Sequence, residues 1–243
     1  MKAMVLAAGL GTRLRPLTDD RPKALVEVAG RTLLEIALTR LRAFGIRDVI
    51  VNVHHFADRM IEYLASNNNF GMNLAISRED VLLDTGGGLK KAAWFFKDDP
   101  QPFLLHNVDV ISSIDFADMI EAHTRGGAMA TLAVQERESS RYLLFDGEQR
   151  LVGRRIGDKD EIARASDEKQ PLAFCGIHVI SPRLLTMMRE EGVFSIINSY
   201  LDLAARGETI SAFRADEYYW RDLGKIEEIR QAEEDLAKEK ELF

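Results

Sequence analysis

The chemistry worth weighing first lies just after the opening apolar run. Leu6-Ala7-Ala8-Gly9-Leu10-Gly11-Thr12-Arg13-Leu14-Arg15-Pro16 sets bare backbone beside two guanidinium groups, and Lys23 follows in Arg21-Pro22-Lys23. Glycine carries no Cβ, so backbone N–H groups can approach a phosphate. Arg13 and Arg15 offer planar forks to phosphate oxygens, and Lys23 offers a point charge. The string lacks the Gly-Lys-Ser/Thr end of a Walker A loop. It also stops short of the dinucleotide fingerprint, because Leu14 holds the third glycine position. A tight turn with two surface arginines is the plain alternative. Gly-x-Gly joined to Thr-Arg and Pro-Lys favours phosphate binding.

Two carboxylates form the second candidate group. Asp109 follows the run Phe103-Leu104-Leu105, at the carboxyl end of an expected strand, where open α/β sheets bind ligands. Asp222 lies over a hundred residues later, in Trp220-Arg221-Asp222-Leu223-Gly224. Two such acids can converge on one hard cation, and Mg²⁺ takes one or two carboxylates plus phosphate oxygens. Equally, each can cap a turn or a helix.

Leu83-Asp84-Thr85-Gly86-Gly87-Gly88 precedes a helical stretch. Three glycines allow a flat base to lie on bare backbone, so alanine there should hinder the nucleotide with little loss of stability. The alternative is an N-cap at Thr85 followed by a turn. Cys175 reads as a small apolar filler and Trp94-Phe95-Phe96 as core. His54 and His55, being adjacent, cannot share a metal from a strand.

Elements must position these groups. Short apolar runs at Ala3 to Leu6, Val49 to Val53, Leu74 to Ile76 and Phe103 to Leu105 predict buried strands. Helical stretches near 32–44, 57–66, 87–96 and 115–124 alternate with them, which argues for a mainly parallel sheet covered on both faces. Thr32 and Glu35 have capping-box spacing ahead of the stripe Leu34, Leu38 and Leu41. In the second half, Ala128 to Val134, Tyr142 to Phe145, Ala173 to Ile180 and Thr209 to Phe213 read as strands. Helices follow Pro182, cover 194–206 and close the chain from 225, with Glu233 to Glu241 on a solvated face. Charged Gly157 to Gln170 reads as an exposed loop.

Composition narrows the classes. The chain has 243 residues, 46% hydrophobic and 29% charged, with a net charge of −7. That is globular, and it makes nucleic acid an unexpected partner. A single cysteine excludes an intrachain disulfide and a thiolate zinc cage. With no long apolar run and no signal-like N-terminus, a cytoplasmic protein without a membrane partner is expected.

Leu6 to Thr18 with Pro22-Lys23 resembles the signature of the sugar-1-phosphate nucleotidyltransferases, the nucleoside-diphosphate-sugar pyrophosphorylases. The likeness continues through Asp84 to Gly88, Asn107 to Asp109 and Trp220 to Gly224. Length and the Thr-Gly-Gly-Gly string are most similar to the N-acetylmuramate-1-phosphate uridylyltransferases, then to the mannose-1-phosphate guanylyltransferases. The resemblance implies a Rossmann-like α/β fold of the glycosyltransferase-A type, with a mixed, mainly parallel sheet flanked by helices. It implies one domain over 1–243: a nucleotide-binding half, 1–125, and a sugar-binding half with the C-terminal helix, 126–243.

The implied reaction joins a nucleoside triphosphate, UTP ahead of GTP, to a sugar 1-phosphate and releases pyrophosphate. Mg²⁺ would be held by Asp109 and Asp222, with Arg13 and Lys23 the other catalytic residues. Ala7, Ala8, Gly9, Gly11, Thr12, Arg13, Lys23, Asp84, Thr85, Gly86, Gly87 and Asn107 would contact the nucleotide, and Asn107 and Gly176 the sugar. Three positions depart from the family pattern: Val108 replaces the glycine of Asn-Gly-Asp, Lys225 stands where threonine is frequent, and Asp84 replaces a glutamate. Two other classes stay open, a dinucleotide-dependent enzyme and a catalytically silent regulator that binds a nucleotide sugar.

Overall fold

A computed structural model describes residues 1–238. The first half alternates as expected. Strand β1 (Lys2–Leu6) leads through the glycine loop and a small hairpin, β2 (Glu27–Val28) and β3 (Arg31–Thr32), to helix α1 (Leu33–Ala43). Strand β4 (Asp48–Val53), helix α2 (Ala57–Ser66), strand β5 (Asn73–Arg78) and helix α3 (Asp84–Lys91) follow. Strand β6 (Phe103–Asn107), the short β7 (Val110–Ser112) and helix α4 (Phe116–Gly126) complete it.

The capping signal at α1 is half realised. Thr32 Oγ1 accepts the Glu35 N–H at 3.0 Å, a contact worth about 1 kcal/mol. The Glu35 carboxylate turns instead to Arg31 at 2.9 Å. At the other end the Ile46 N–H returns to the Leu41 carbonyl, and Leu34, Leu38 and Leu41 are fully buried.

Strands β8 (Ala130–Gln135), β9 (Arg141–Phe145), β10 (Leu151–Ile156), β11 (Lys159–Ile162) and β12 (Gln170–Ile180) follow. Then come helices α5 (Arg183–Met187) and α6 (Ile196–Ala205), strands β13 (Ile210–Arg214) and β14 (Trp220–Asp222), and helix α7 (Ile226–Lys238). The expected solvated face over Glu233 to Glu241 extends past the described residues.

Among the described residues one sheet of ten strands runs in the order β11-β10-β9-β12-β6-β1-β4-β5, with β8 beside β12 and β13 beside β8. β6, β1, β4 and β5 are parallel, and β12 enters antiparallel to β6. The sheet is therefore mixed: its main parallel block lies in the first half, and β8 and β13 add a parallel pair in the second. Alternation along β1 feeds both faces: Ala3 and Val5 pack with α1 and α2, while Met4 and Leu6 pack with α3 and α6.

Three local expectations change. Lys159–Ile162 is a strand rather than loop, paired with β10 across the turn Gly157-Asp158. All four residues are exposed, so apolar alternation is absent, and charge pairs hold the ribbon instead: Arg154 with Glu161 and Arg155 with Asp160. The helix expected over 87–96 begins earlier and takes the glycines into its own first turns. Of the aromatic triplet only Phe96 is core, whereas Trp94 is 54% exposed. No described helix is long and apolar enough to cross a membrane.

Candidate active site

The glycine loop leaves the carboxyl end of β1. Gly11 has a φ of +65°, and a Cβ there would fall 2.9 Å from Lys23 Cβ. The turn is thereby welded to the Lys23 segment. Thr18 adds a second tie, donating its hydroxyl to the Gly11 carbonyl at 2.9 Å. A Cβ at Gly9 would meet nothing within 4 Å, so its backbone faces open space. Lys23 opens a 3-10 turn, buries Ala24 behind it and extends its ammonium to the Asp109 carboxylate as an ion pair.

Asp109 and Asp222, far apart in sequence, are joined by a two-stranded ribbon. β7 and β14 pair antiparallel, with Val110 opposite Asp222. Just beyond the ladder the Leu223 N–H donates to the Asp109 carbonyl at 2.8 Å. Asp222 also accepts the Gly224 N–H at 2.7 Å. Burial raises the Asp222 carboxyl above the ordinary range, and the charge of Asp109 pushes it further. Lys23, the Gly224 amide and Arg13 oppose the rise. Arg13 lies close over Gly224, where a Cβ would sit 2.4 Å from its Nη2. Two acids and two cations thus share one small volume. Val108 fits without the family's glycine, because its φ is not positive and its side chain enters the core.

Two cavities flank these groups and meet at Asn107, which lines both. The smaller, about 170 Å³, is bounded by Ala7, Ala8, Gly9, Asp84, Thr85 and Asp109. Its floor is a buried hydrogen-bond network that the sequence did not announce. Asn52 Oδ1 accepts the Ala7 N–H at 2.7 Å, and Asn52 Nδ2 donates to Glu79 at 2.7 Å. The other Glu79 oxygen accepts the Leu83 N–H at 3.0 Å. Asn52 and Glu79 are only 2% and 3% exposed. They tie the glycine loop to the start of α3. The one available signal was a polar residue inside the otherwise apolar strand Val-Ile-Val-Asn-Val.

Gly86 and Gly87 do not line either cavity. Both donate their N–H groups to the Phe194 carbonyl, at 3.0 and 3.2 Å. A Cβ on Gly86 would meet the Phe194 ring at 2.3 Å, and one on Gly87 the Gly192 carbonyl at 2.2 Å. Their bareness lets α3 pack against the chain entering α6. Asp84 and Thr85, rather than these glycines, line the smaller cavity. Asp84 has a φ of +59° and accepts the Thr85 N–H at 2.6 Å.

The larger cavity is about 740 Å³, and Arg13, Asp222 and Gly176 lie on its wall. Gly176 bends β12. The strand slips register against β8 between Phe174 and His178, and Gly176 takes a φ of +73° with Asn107 Nδ2 only 2.7 Å from where a Cβ would be. Trp220 donates its Nε1–H to the Cys175 carbonyl at 2.7 Å. Burial pushes the Cys175 thiol up to about 12, so it stays protonated and inert. His106 is buried behind Asn107, and burial lowers it to about 4. His54 lies past the end of β4 and bonds the Glu79 carbonyl.

Comparison with known proteins decides the family. The nucleotidyl transferase family profile matches residues 2–239. The chain belongs to that family. A curated relative, the N-acetylmuramate α-1-phosphate uridylyltransferase of Caulobacter vibrioides, is 36% identical, covering 97% of this chain and 96% of its own. The mannose-1-phosphate guanyltransferase of Yarrowia lipolytica is 31% identical over 93% of this chain but only 61% of its own. In fold, this nucleotidyltransferase is similar to a putative glucose-1-phosphate thymidylyltransferase of Bacillus anthracis, with a TM-score of 0.80, 19% identity and coverage of 98% and 96%. It is also similar to HddC of Yersinia pseudotuberculosis, with a TM-score of 0.76, 22% identity and coverage of 97% and 99%.

Proposed function

We propose that the chain transfers a nucleotidyl group to a sugar 1-phosphate, with UTP as donor and N-acetylmuramate 1-phosphate as acceptor. The observation that carries this reading is the meeting of Asp109, Asp222, Lys23 and Arg13 where the two cavities join at Asn107. The small cavity suits a nucleoside beside Ala8, Asp84 and Thr85, and the large one suits a sugar beside Asn107 and Gly176.

A sugar phosphate oxygen attacks the α-phosphorus in line. One P–O bond forms as the bond to pyrophosphate breaks. The monoester is already ionised near neutral pH, so no general base is needed, and catalysis is positioning and charge neutralisation. Lys23 draws the α-phosphate or the sugar phosphate toward Asp109. Arg13 and the N–H groups of Gly9 to Thr12 hold the leaving pyrophosphate. Two carboxylates close enough that the charge of Asp109 raises the proton affinity of Asp222 fit a hard cation. Asp109 and Asp222 would hold Mg²⁺, which supplies charge neutralisation at the reacting phosphate.

The choice of UTP rests on the Caulobacter relative. The Yarrowia relative supports a second reading with GTP and mannose 1-phosphate. Pyrophosphate release from each triphosphate with each sugar phosphate separates them. The expected result is the highest kcat/KM with UTP and N-acetylmuramate 1-phosphate. Higher values with GTP on every sugar remove the uridylyl assignment. No pyrophosphate from any pair removes the reaction itself.

A further inference from the structure

The wide cavity carries more positive charge than one phosphate needs. Arg13 and Lys225 line it beside Asp222, at the reacting end. Arg137, Arg141, Arg154 and Arg155 line it as well. Arg154 is engaged with Glu161 and Asn198, and Arg155 with Asp160. Arg137 and Arg141 form no ion pair with any described residue, and Glu138, the acid between them, pairs with neither.

Arg137 is held in place. Its guanidinium lies 3.9 Å from the centre of the Trp220 ring, and its Nη2 donates to the Phe174 carbonyl at 2.9 Å. Its Nε is buried and has no hydrogen-bond partner. Trp220, anchored on Cys175, stands two residues before Asp222 in β14, so the two side chains share a face of that strand. Arg141 is exposed at the start of β9, and the turn before it is set by short bonds. The Ser139 hydroxyl donates to the Arg141 carbonyl at 2.9 Å, and the Ser139 N–H donates to the Tyr142 hydroxyl at 2.8 Å. A fixed, stacked arginine beside an exposed, unpaired one is the arrangement that grips a planar anion.

We infer that Arg137 and Arg141 bind a second anionic group on the acceptor, a carboxylate, so that the substrate class is sugar 1-phosphates bearing a carboxyl substituent. This rests on the nucleotidyl transfer reading above. The 1-phosphate lies with Lys23 and Asp109, and the carboxylate lies against the Arg137–Trp220 stack.

Matched sugars test it. Pyrophosphate release is measured with UTP and with GTP on N-acetylmuramate 1-phosphate against N-acetylglucosamine 1-phosphate, and on glucuronate 1-phosphate against glucose 1-phosphate. Mannose 1-phosphate is a further neutral acceptor. The carboxylated member of at least one pair is expected to lead by a hundredfold or more in kcat/KM, chiefly through KM. Arg141→Ala is expected to shrink that ratio at least tenfold. Arg141 is exposed and unpaired, so this truncation does not threaten folding. Arg137→Lys keeps the charge, loses the fork, and should shrink the ratio less. A preference for neutral sugars in every comparison overturns the inference, as does an unchanged ratio in Arg141→Ala. GTP leading with a carboxylated sugar sinks the uridylyl reading and leaves this one standing; UTP leading with a neutral sugar does the reverse.

Discussion

The two cavities that meet at Asn107 are made of different material. The small one is walled by backbone and short side chains, and its shape is set from beneath by Asn52 and Glu79, each satisfied and almost wholly buried. The large one is walled by long cations and aromatic rings on strands and a hairpin. A buried, fully bonded floor is rigid, and changing one member leaves another unpaired. A wall of arginine tips can be rewritten residue by residue. On the proposed reading, the nucleotide end is therefore the conservative end, and the sugar end is where specificity is easily altered.

The largest effect is expected at the junction, where the distinction vanishes. Asp222→Asn should lower kcat at least a thousandfold, about 4 kcal/mol of lost transition-state stabilisation, with either substrate saturating. Asp109→Asn should match it, and the double variant should be little worse, because both act on one centre. Independent, multiplying losses in steady-state kinetics would show that the two acids serve separate ends.

Next come the glycines, which should split by region. Gly176→Ala is strained at φ +73° and meets Asn107, so KM for the sugar phosphate should rise tenfold or more with the triphosphate KM little changed. Gly86→Ala should act on stability instead. Its methyl group collides with Phe194, and about 1–3 kcal/mol of overpacking should lower the unfolding temperature by about 2–12 °C. A triphosphate KM effect in Gly86→Ala without loss of stability would restore the base floor to the glycines.

A smaller effect is expected from Glu79→Gln. Its side-chain amide cannot accept from both Asn52 and Leu83, so the loop after β1 and the start of α3 lose one tie. The triphosphate KM should rise several-fold while the sugar phosphate KM stays within twofold. An equal rise in both would mean that the network supports the whole sheet rather than one end.

His123 should have the least effect on turnover near neutral pH. Its Nε2–H donates to Ser181, whose own hydroxyl is given to the Ala128 carbonyl, and its Nδ1 accepts from Thr131. Burial lowers it to about 4, so it is neutral in the fold and takes up a proton on unfolding below about 6.5. Its contribution to stability is complete above that pH and is lost as pH falls toward 4, by about 1.4 kcal/mol per pH unit. Unfolding temperatures from pH 7.5 to 5 should fall less steeply in His123→Gln than in the parent protein.

What the residues disclosed in advance follows the same division. The parallel strands were legible because both faces are buried and the runs are apolar. The loop after β1 was legible as a tight turn because its glycines and cations cluster locally. β7 and β14 were not, since three-residue strands carry no periodicity and their pairing joins distant segments. Lys159–Ile162 was missed because charge pairs replace an apolar face. The reading of Gly86 and Gly87 failed because bare backbone looks the same in sequence whether a base or Phe194 lies against it. Arg137 was invisible as a site residue until Trp220 was seen beneath it.

The ribbon of β7 and β14 has a consequence for how such a chain can change length. Asp109 and Asp222 are spaced by a ladder of three residue pairs, not by the polypeptide between them. Residues could be added or removed in the hairpin around Gly157 and leave the acids undisturbed. A slip of one residue in the ladder would turn Asp222 to the opposite face and leave Arg221 in its place. Arg221 is clamped to α7 through Glu228 and Asp235, and this fixes the side to which β14 turns. Helix α7 thus acts as a ratchet pawl for catalysis: it lends only Glu228 to the lining of the larger cavity, yet it sets which tooth of the strand is engaged.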